Sequence, residues 1–427
     1  MNTKRSPRVV ISAFACSPFR GSESSVGWNI ISRLDPDISV TVLHGDLTAS
    51  RQSAREIELY YSNSRKPENL AFEYVAPTKS ARIFEYIHRF PLFWMLYYTS
   101  YQIWQRDVFS HAKKAHLREP FDVSHEFTYL SYRTPGKLFN LGIPHVWGPI
   151  SGSVNIPWPY YKLFGFKSFY RPLSRDFLNY LQQRTSRKCR LAASRTMKTF
   201  VGSPEDYRMV TRWTHRPPEL LLETGTDLSF PTRVRERSQR PLRMVWSGLF
   251  QARKALPILF DALALLTNEV KWELDILGDG PFRSLWHALA RPLASRGTIR
   301  WHGSLPRKDA LEVVNSCDVL VHTSLKEAST AVILEAISFG LPVVCHNSSG
   351  MAVAVDDTCG IKIPVVDPQT SAHGFADAIT KLAQRDSDLL TKLSIGAIKR
   401  REALSWTAKA KRISSCYREL AAASDPS

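Results

Sequence analysis

A chain of 427 residues is longer than one ordinary hydrophobic core, so two domains of about 200 residues each are expected. A content of 44% hydrophobic and 22% charged residues excludes a disordered protein. The net charge of +18 favours anionic partners such as phosphate ligands, lipid headgroups or nucleic acid. No helix-turn-helix, zinc-finger or RNA-recognition pattern is present, so nucleic acid is not an expected partner.

The cysteines and the apolar segments bear on the compartment. Six cysteines are scattered without a CxxC pair, which is typical of reduced thiols in a cytosolic protein. The first residues, "MNTKRSPRVVISAF", do not form a secretory signal pattern. The longest apolar block, Phe90 to Trp104, is shorter than the roughly 20 residues that a membrane-spanning helix needs. We therefore expect a cytoplasmic protein with no membrane-spanning segment.

The first half of the chain alternates short apolar runs with glycine loops and helical segments. The runs predicted as strands are "RVVISAFACS", "SVTVLHGD", "LAFEYVAP", "FDVSHEF" and "GIPHVWGPISGS". The loop "FRGSESSVGWN", with Gly21 and Gly27, follows the first run and leads into a helix. A strand, a glycine loop, a helix and a second strand are the opening of a doubly wound α/β domain.

The same pattern starts again near Leu242. Predicted strands lie in "LRMVWSGLF", "WELDILGDGP", "IRWHGSLP", "CDVLVHTS" and "LPVVCHNS", and "ALPILFDALALLTN" is an amphipathic helix. We predict an amino-terminal domain over residues 1–225, a second α/β domain over 226–405, and a final helix over 406–427 that packs back toward the first domain. Two such domains would face each other across a cleft lined by the loops at the carboxyl ends of their strands.

Two groups in the second half carry candidate chemistry. Arg253 and Lys254 follow a predicted strand at the start of a helix, where cations and free N–H groups suit a diphosphate. A solvated basic loop is the alternative. Glu335 lies on an otherwise apolar helix, so its carboxylate needs partners, either the hydroxyls of a ligand or an arginine of the fold.

The segments "WSGLFQARKAL", "ILGDGP", "WHGSLPR" and "SLKEASTAVILEAISFGLPVV", in this order, resemble the carboxyl-terminal domain of retaining glycosyltransferases of family 4, among the glycosyl transferases group 1. That family has the two-domain GT-B fold, and its Glu-x7-Glu signature is matched by Glu327 and Glu335. The loops "ACSPFRGSESSVGWN", "FDVSHEFTYLSYRTP" and "GIPHVWGPISGS" resemble its acceptor-side loops. The resemblance extends from about Arg8 to Trp406.

The resemblance implies a role for each matched position. Those implied to contact the donor diphosphate are Arg253, Lys254, Thr330, Ala331 and Gly21. Glu335 would bind the ribose, and His302 and Gly303 in "RWHGSLP" would bind the base. Glu327 would contact the donor sugar, and His125 would face the reacting carbon of that sugar. The chain departs from the family at Leu249, where arginine is common, and at residues 328–330, where Gly-Phe-Gly is common.

The implied activity is metal-independent, retaining hexosyl transfer from a nucleotide sugar, with a UDP- or GDP-sugar expected and no cofactor. The acceptor would be a saccharide or a lipid-linked molecule in surface polysaccharide or glycolipid assembly. A GT-B nucleotide-sugar epimerase and a non-catalytic nucleotide-sugar-binding protein are the alternatives. The motif Asp35-Pro36-Asp37 is interpreted as a proline turn rather than a metal site.

The stretch from Arg82 to His116 is rich in aromatic residues and has basic residues at both ends. This composition is typical of helices that lie at a membrane surface, with cations facing anionic lipid. Packing of these aromatic side chains in the core of the first domain explains it equally well. We therefore hold peripheral attachment to the cytoplasmic face of the inner membrane as a hypothesis.

Overall fold

The computed structural model describes residues 6–90, 96–165, 170–227, 229–327 and 331–423. Within these ranges it forms two parallel β-sheets, each with helices on both faces. The predicted α/β fold with two Rossmann-like domains is confirmed. No helix in the described ranges combines the length and the apolar character needed to cross a bilayer.

The first half contains seven strands and seven α-helices within the described ranges. In chain order they are β1 (Arg8–Ala13), α1 (Glu23–Ile31), β2 (Ser39–His44), α2 (Gln52–Ser62), β3 (Leu70–Tyr74), α3 (Lys79–Ile87), α4 (Leu96–Arg118), β4 (Val123–Thr128), β5 (His145–Ile150), α5 (Tyr170–Thr185), α6 (Arg187–Arg195), β6 (Lys198–Val201), α7 (Pro204–Thr211) and β7 (Glu219–Leu220). The strands pair in the order β3-β2-β1-β4-β5-β6-β7. This order reverses beside β1 and β4, where an open α/β sheet forms its crevice.

The second half forms a sheet in the order β10-β9-β8-β11-β12-β13. Its elements are β8 (Leu242–Ser247), α8 (Leu256–Leu265), β9 (Trp272–Leu277), α9 (Arg283–Ala290), β10 (Thr298–Gly303), α10 (Arg307–Ser316), β11 (Val319–His322), α11 (Ala331–Ser338), β12 (Val343–His346), α12 (Met351–Ala354), β13 (Gly360–Ile363), α13 (Pro368–Ala383), α14 (Leu389–Ala403) and α15 (Trp406–Ala422). Short 3₁₀ turns lie at Leu138–Asn140, Trp158–Phe164, Ala252–Lys254 and Arg291–Ser295. All four residues of β11 are buried, and its first three are apolar without a polar residue between them. This pattern is expected of a strand that helices cover on both faces.

Each domain receives a segment from the other half of the chain. Ile413, Cys416 and Tyr417 of α15 are buried in the core under the first sheet. In the opposite direction, Ile156 and three aromatic side chains of the next turn are buried in the core of the second sheet, namely Tyr160, Tyr161 and Phe164. We call residues 154–164 the strap. It falls within the range 1–225 predicted for the first domain, yet it packs in the second.

Arg418 fixes α15 to the turn after α1. Its guanidinium forms ion pairs with Asp35 at 2.5 Å and with Asp37 at 2.7 Å. The two carboxylates therefore serve as partners for an arginine of the fold. Elsewhere in the described ranges, no three His, Cys, Asp or Glu side chains are grouped closely enough to hold a metal ion.

Candidate active site

Glu327 lies in the loop after β11 and is paired with the two predicted cations. Its Oε1 is 3.0 Å from Arg253 Nη1 and forms a closer ion pair with Lys254 Nζ. The hydroxyl of Ser324 donates to the same oxygen at 2.7 Å. Burial alone would raise the pKa of Glu327, but His322, whose Nε2 lies 3.7 Å from Oε1, and the charges of Lys254 and Arg253 together hold it well below its usual range. Glu327 is therefore ionised and neutralises part of the positive charge.

The backbone of the turn Ala252–Lys254 places both cations at the carboxyl end of β8. The Arg253 carbonyl accepts from Leu325 N–H at 2.9 Å, which joins this turn to the Glu327 loop. Gly278, at φ +123°, packs so closely on Gly248 that a β-carbon would overlap the Gly248 carbonyl oxygen. Glycine at this position lets the loops after β8 and β9 approach each other.

Glu335 lies on α11, eight positions after Glu327. Its carboxylate pairs with Arg307 at 2.8 Å, and the arginine side chain is 72% exposed. An exposed ion pair of this kind contributes little free energy, so Glu335 can exchange it for a ligand. Ala331 is the first residue of α11. Thr330, predicted to contact the diphosphate, lies outside the described residues.

His302 and Gly303 end β10, next to the loop after β9. His302 Nε2 is 2.7 Å from the buried Asp275 carboxylate, which also pairs with Arg243 at 3.0 Å. Gly303 has φ +65°, and its carbonyl accepts from Gly278 N–H at 2.7 Å. The structure thus places the predicted base-binding segment next to the loop that follows β9 and begins at Gly278.

His125 is buried in the core instead of lining the cleft. Its Nε2 is 2.6 Å from the Gly148 carbonyl oxygen and its Nδ1 is 2.5 Å from the Tyr417 hydroxyl of α15. Burial lowers the pKa of His125 to about 4, so the ring is neutral. Both ring nitrogens have hydrogen-bond partners inside the first domain's core. His125 therefore does not face the cleft, contrary to the expectation that it faces the donor sugar.

Gly21 and Gly27, both in the predicted glycine loop, differ in the structure. Gly21 is exposed, and a β-carbon there would meet nothing within 4 Å. Gly27 lies in α1, where a β-carbon would overlap the Ala15 carbonyl oxygen. Gly27 therefore allows α1 to pack against the end of β1, whereas Gly21 makes no comparable contact.

A large cavity lies on the first domain, between α4 and α5, and residues of all three loops that resemble the family's acceptor-side loops line it. Its volume is about 1430 Å³. Charged residues in its lining are Glu23, Arg133, Arg175 and Glu223, and apolar ones include Leu96, Tyr129, Leu178 and Leu181. These positions are spread over two hundred residues of sequence, and no local motif joins them.

A small pocket between the domains adjoins that cavity. Ser151 and Gly152 line both, and Glu327 and Lys326 line the small pocket alone. Lys326 reaches across the boundary: its Nζ donates to the Val154 carbonyl and lies 3.7 Å from Asp176. The cavity of the first domain thus leads, through Ser151 and Gly152, to the carboxylate that holds the two cations.

Comparisons with known proteins agree with this architecture. Residues 241–385 match the sequence model of the family described as Glycosyl transferases group 1. A stretch of 97 residues is 33% identical to the lipopolysaccharide 1,6-galactosyltransferase of Salmonella typhimurium, covering 22% of this chain and 26% of that protein. A longer stretch of 226 residues is 26% identical to the D-inositol 3-phosphate glycosyltransferase of Thermobispora bispora, covering 48% and 52% respectively.

The chain spans about half or less of the length of these curated relatives. Among solved structures, Anabaena Alr3699/HepE in complex with UDP and glucose has a TM-score of 0.54 at 14% identity, covering 97% of this chain and 100% of that one. That likeness extends over both domains and concerns the fold. Residues 241–385 thus match the glycosyl transferases group 1 family, within a chain that has the two-domain GT-B fold.

Proposed function

We propose that this protein is a retaining, metal-independent glycosyltransferase that moves a hexose from a nucleotide sugar to a saccharide or lipid-linked acceptor in surface polysaccharide or glycolipid assembly. The observation that carries the proposal is the group of Arg253, Lys254 and Glu327 at the cleft. Curated relatives that act on lipopolysaccharide or transfer sugars support the reaction class. A structural neighbour solved with UDP and glucose supports a uridine nucleotide as donor.

The chemistry follows from where charge develops during the reaction. Breaking the bond between the sugar and the diphosphate builds negative charge on the leaving group. Arg253 and Lys254 would bind that group more tightly as the bond breaks, which lowers the barrier. Because the two cations are already paired with Glu327, they are fixed in place before the donor arrives. Fixed cations would supply the charge stabilisation that a metal ion gives elsewhere.

The remaining donor contacts are assigned on the same basis. Glu335 would exchange its exposed partner Arg307 for the ribose hydroxyls, and His302 and Gly303 would meet the base. The N–H group of Ala331, at the start of α11, would donate to a phosphate oxygen, and Thr330 keeps the diphosphate role that the resemblance implies. Glu327 would contact the donor sugar while it holds the cations. Gly21 would approach the diphosphate only if the two domains move closer together.

Donor turnover tests the proposal. The purified protein is first screened by thermal shift against UDP-, GDP- and ADP-sugars. Release of the nucleoside diphosphate is then measured with the bound donor and a panel of saccharide and lipid-linked acceptors, which take up the transferred sugar. Lys254→Ala should reduce turnover by about 100-fold, since it removes a charge that meets the leaving group. Glu335→Ala should weaken donor binding about tenfold or more, because two hydroxyl contacts are lost.

Lys381→Ala is the matched control, since that lysine is exposed at the end of α13 on the same domain. It should leave both quantities unchanged. Binding without release of the nucleotide would favour a non-catalytic binding protein, and an inverted sugar on an intact donor would favour an epimerase. Full turnover in Lys254→Ala would place the diphosphate elsewhere.

Attachment to an anionic membrane is proposed as a second property. α3 and the residue three positions beyond it expose Ile83 (58%), Tyr86 (65%) and Phe90 (54%), side chains that a soluble surface rarely presents together. Arg82 and Arg89 are exposed on the same face. We call these five residues the α3 face. Aromatic groups flanked by arginines suit the headgroup region of a bilayer, which would supply a lipid-linked acceptor. Residues 91–95 of the aromatic stretch lie outside the described residues.

A further inference from the structure

The large cavity on the first domain contains an arginine that is held in place but not neutralised. Arg133 Nη2 donates to the Gly152 carbonyl at 3.0 Å and to Asn179 Oδ1 at 2.5 Å. The guanidinium lies over the Tyr132 ring at 4.9 Å. All of these partners are neutral, and among the described residues no carboxylate forms an ion pair with Arg133. The guanidinium is therefore held in one position by neutral groups, and its charge is available to bind an anion.

The surroundings of Arg133 are built to hold this position. Asn179 is buried, and its side chain also bonds the Ser153 carbonyl at 3.0 Å and the Tyr132 hydroxyl at 2.5 Å. Gly152 has φ +107°, and a β-carbon there would come within 2.9 Å of Arg133 Nη1. Glycine is thus needed at position 152 both for its conformation and for the space that the guanidinium occupies.

A second cation faces the same cavity. Arg175 lies on α5, one helical turn before Asn179, and it too forms no ion pair with a described carboxylate. Arg133 and Arg175 both lower the pKa of Lys326 by electrostatic repulsion, after the larger effect of burial. The three positive groups are therefore close together, beside Gly152 and the passage to Glu327. Two unpaired guanidinium groups in one cavity attract an anionic ligand.

The opposite side of the passage carries two carboxyl groups. Glu223 is 4% exposed, and its Oε2 accepts from Ser151 Oγ at 3.3 Å. Glu23 accepts from Leu130 N–H at 3.4 Å, and Ser151 bonds the carbonyl of that same Leu130. Burial and then the charge of Glu23 raise the pKa of Glu223 to about 8. Burial also raises the pKa of Glu23. Two neighbouring carboxyl groups, of which Glu223 holds a proton at neutral pH, can donate to and accept from sugar hydroxyls.

We propose that the cavity between α4 and α5 binds an anionic saccharide as the acceptor, with Arg133 and Arg175 on its phosphate or carboxylate and Glu23 and Glu223 on its hydroxyls. This inference rests on the proposed function and names its acceptor class. Because the cations flank Gly152 and the carboxyl groups flank Ser151, the anion lies next to the sugar unit that faces Glu327. A sugar phosphate or a uronic acid has its charge in this position, whereas a neutral glycan has none.

Binding is measured without any nucleotide, by isothermal titration or ligand-observed NMR. The protein carries Arg253→Ala and Lys254→Ala, which removes anion binding at the donor cations. Glucose 1-phosphate, glucuronate and methyl glucoside are the three probes. We expect one of the two anions to bind at least tenfold more tightly than methyl glucoside, and the better anion identifies phosphate or carboxylate as the recognised group.

Arg133→Gln should remove that tenfold preference, and Arg133→Lys should restore part of it. Arg184→Gln is the matched control, because Arg184 is exposed on α5, stacks on Tyr180 and does not line the cavity. Equal binding of the three probes, binding by none of them, or an unchanged preference in Arg133→Gln overturns the proposal. A failure of donor turnover in the wild-type protein would instead count against the proposed function, since the two assays share no ligand.

Discussion

Glu126 and Glu327 are both buried carboxyl groups, but their neighbours keep Glu126 protonated and Glu327 ionised at neutral pH. Glu327 meets two cations and stays ionised. Glu126 Oε1 accepts from Gln105 at 2.7 Å and Tyr101 at 3.1 Å, while its Oε2 has no hydrogen-bond partner among the described residues. Burial, only partly offset by these hydrogen bonds, raises the pKa of Glu126 to about 8. Charge at a buried position is thus set by side chains that are distant in sequence.

The raised pKa of Glu126 predicts how stability depends on pH. Between pH 4.5, the ordinary pKa of a glutamate, and about pH 8, the folded state holds a proton that the unfolded state has released. The contribution of Glu126 to the free energy of unfolding therefore falls by about 1.4 kcal/mol per pH unit as the pH rises through this interval. Glu126→Gln should remove this slope. Urea denaturation of both proteins from pH 5 to 9 measures the difference, and parallel curves would contradict the assignment.

The sequence was a good guide to the cation group and a poor one to His125. Arg253 and Lys254 could be found because they follow a strand and because charge at a helix start has a simple chemical meaning. Glu327 was found only as the first glutamate of the family's signature, and its pairing with the two cations was not predicted. His125 also follows the expected pattern, but its surroundings are set by Tyr417, almost three hundred residues later. The sequence around His125 contains no sign that a helix almost three hundred residues away will bury it. The cavity residues on α5 and Glu223 lie outside the loops that the sequence analysis quoted, and they escaped for the same reason.

At the scale of the elements, strands of continuous apolar residues were predicted in the right order, since burial between two layers of helices dictates their composition. β6, β7 and β13 were not predicted. Each has four residues or fewer and includes a charged residue, so it lacks the apolar run that marks the equally short β11 and β12. The packing of the strap in the second domain was not predicted, because its prolines are typical of a loop. Its aromatic residues are explained only by the core of the second domain, in which they are buried.

The α3 face yields a prediction at this scale. Arg82, Arg89 and the exposed Arg106 of α4 are replaced together by glutamine, and sedimentation with vesicles containing anionic lipid is measured. Binding should fall by about tenfold or more, since each cation near an anionic bilayer contributes about 1 kcal/mol. Lys271, Arg291 and Lys381 on the second domain are all exposed, and their triple glutamine variant removes the same charge. Equal losses in both variants would assign the binding to net charge instead of this face.

On the scale of the whole molecule, few polar contacts hold the two domains at the cleft. Lys326 bonds the strap at Val154, and Ser349 N–H donates to Glu205 at 3.2 Å. Lys326 is adjacent to Glu327, which pairs with Arg253 and Lys254. A change in the spacing of the domains would therefore shift the loop that carries Glu327. The pocket between them, with a volume of about 20 Å³, is too small for a hexose. The proposed donor sugar therefore needs a wider cleft to enter, and Gly21 would approach the diphosphate when the domains close again on the bound donor.

Lys326→Met should favour the wider arrangement. Methionine retains an apolar stem of similar length, but it cannot bond the Val154 carbonyl or attract Asp176. We expect a larger radius of gyration in solution without ligand, measured by small-angle X-ray scattering, and a smaller change when donor is added. Lys308→Met, an exposed position on the same domain, is the control. Scattering curves that match the wild type would show that this contact does not set the spacing.

The position of α15 has a consequence for the order of events during protein synthesis. The first sheet is complete once β7 has been made, yet Ile413, Cys416 and Tyr417 still have to cover its core. The ribosome must therefore translate the entire second half before the first half can close, and His125 waits without its Tyr417 partner throughout. Domains made from the amino terminus usually fold as they emerge. In this chain the amino-terminal half is the last to be finished, and its uncovered apolar surface is where a nascent-chain chaperone would be expected to bind.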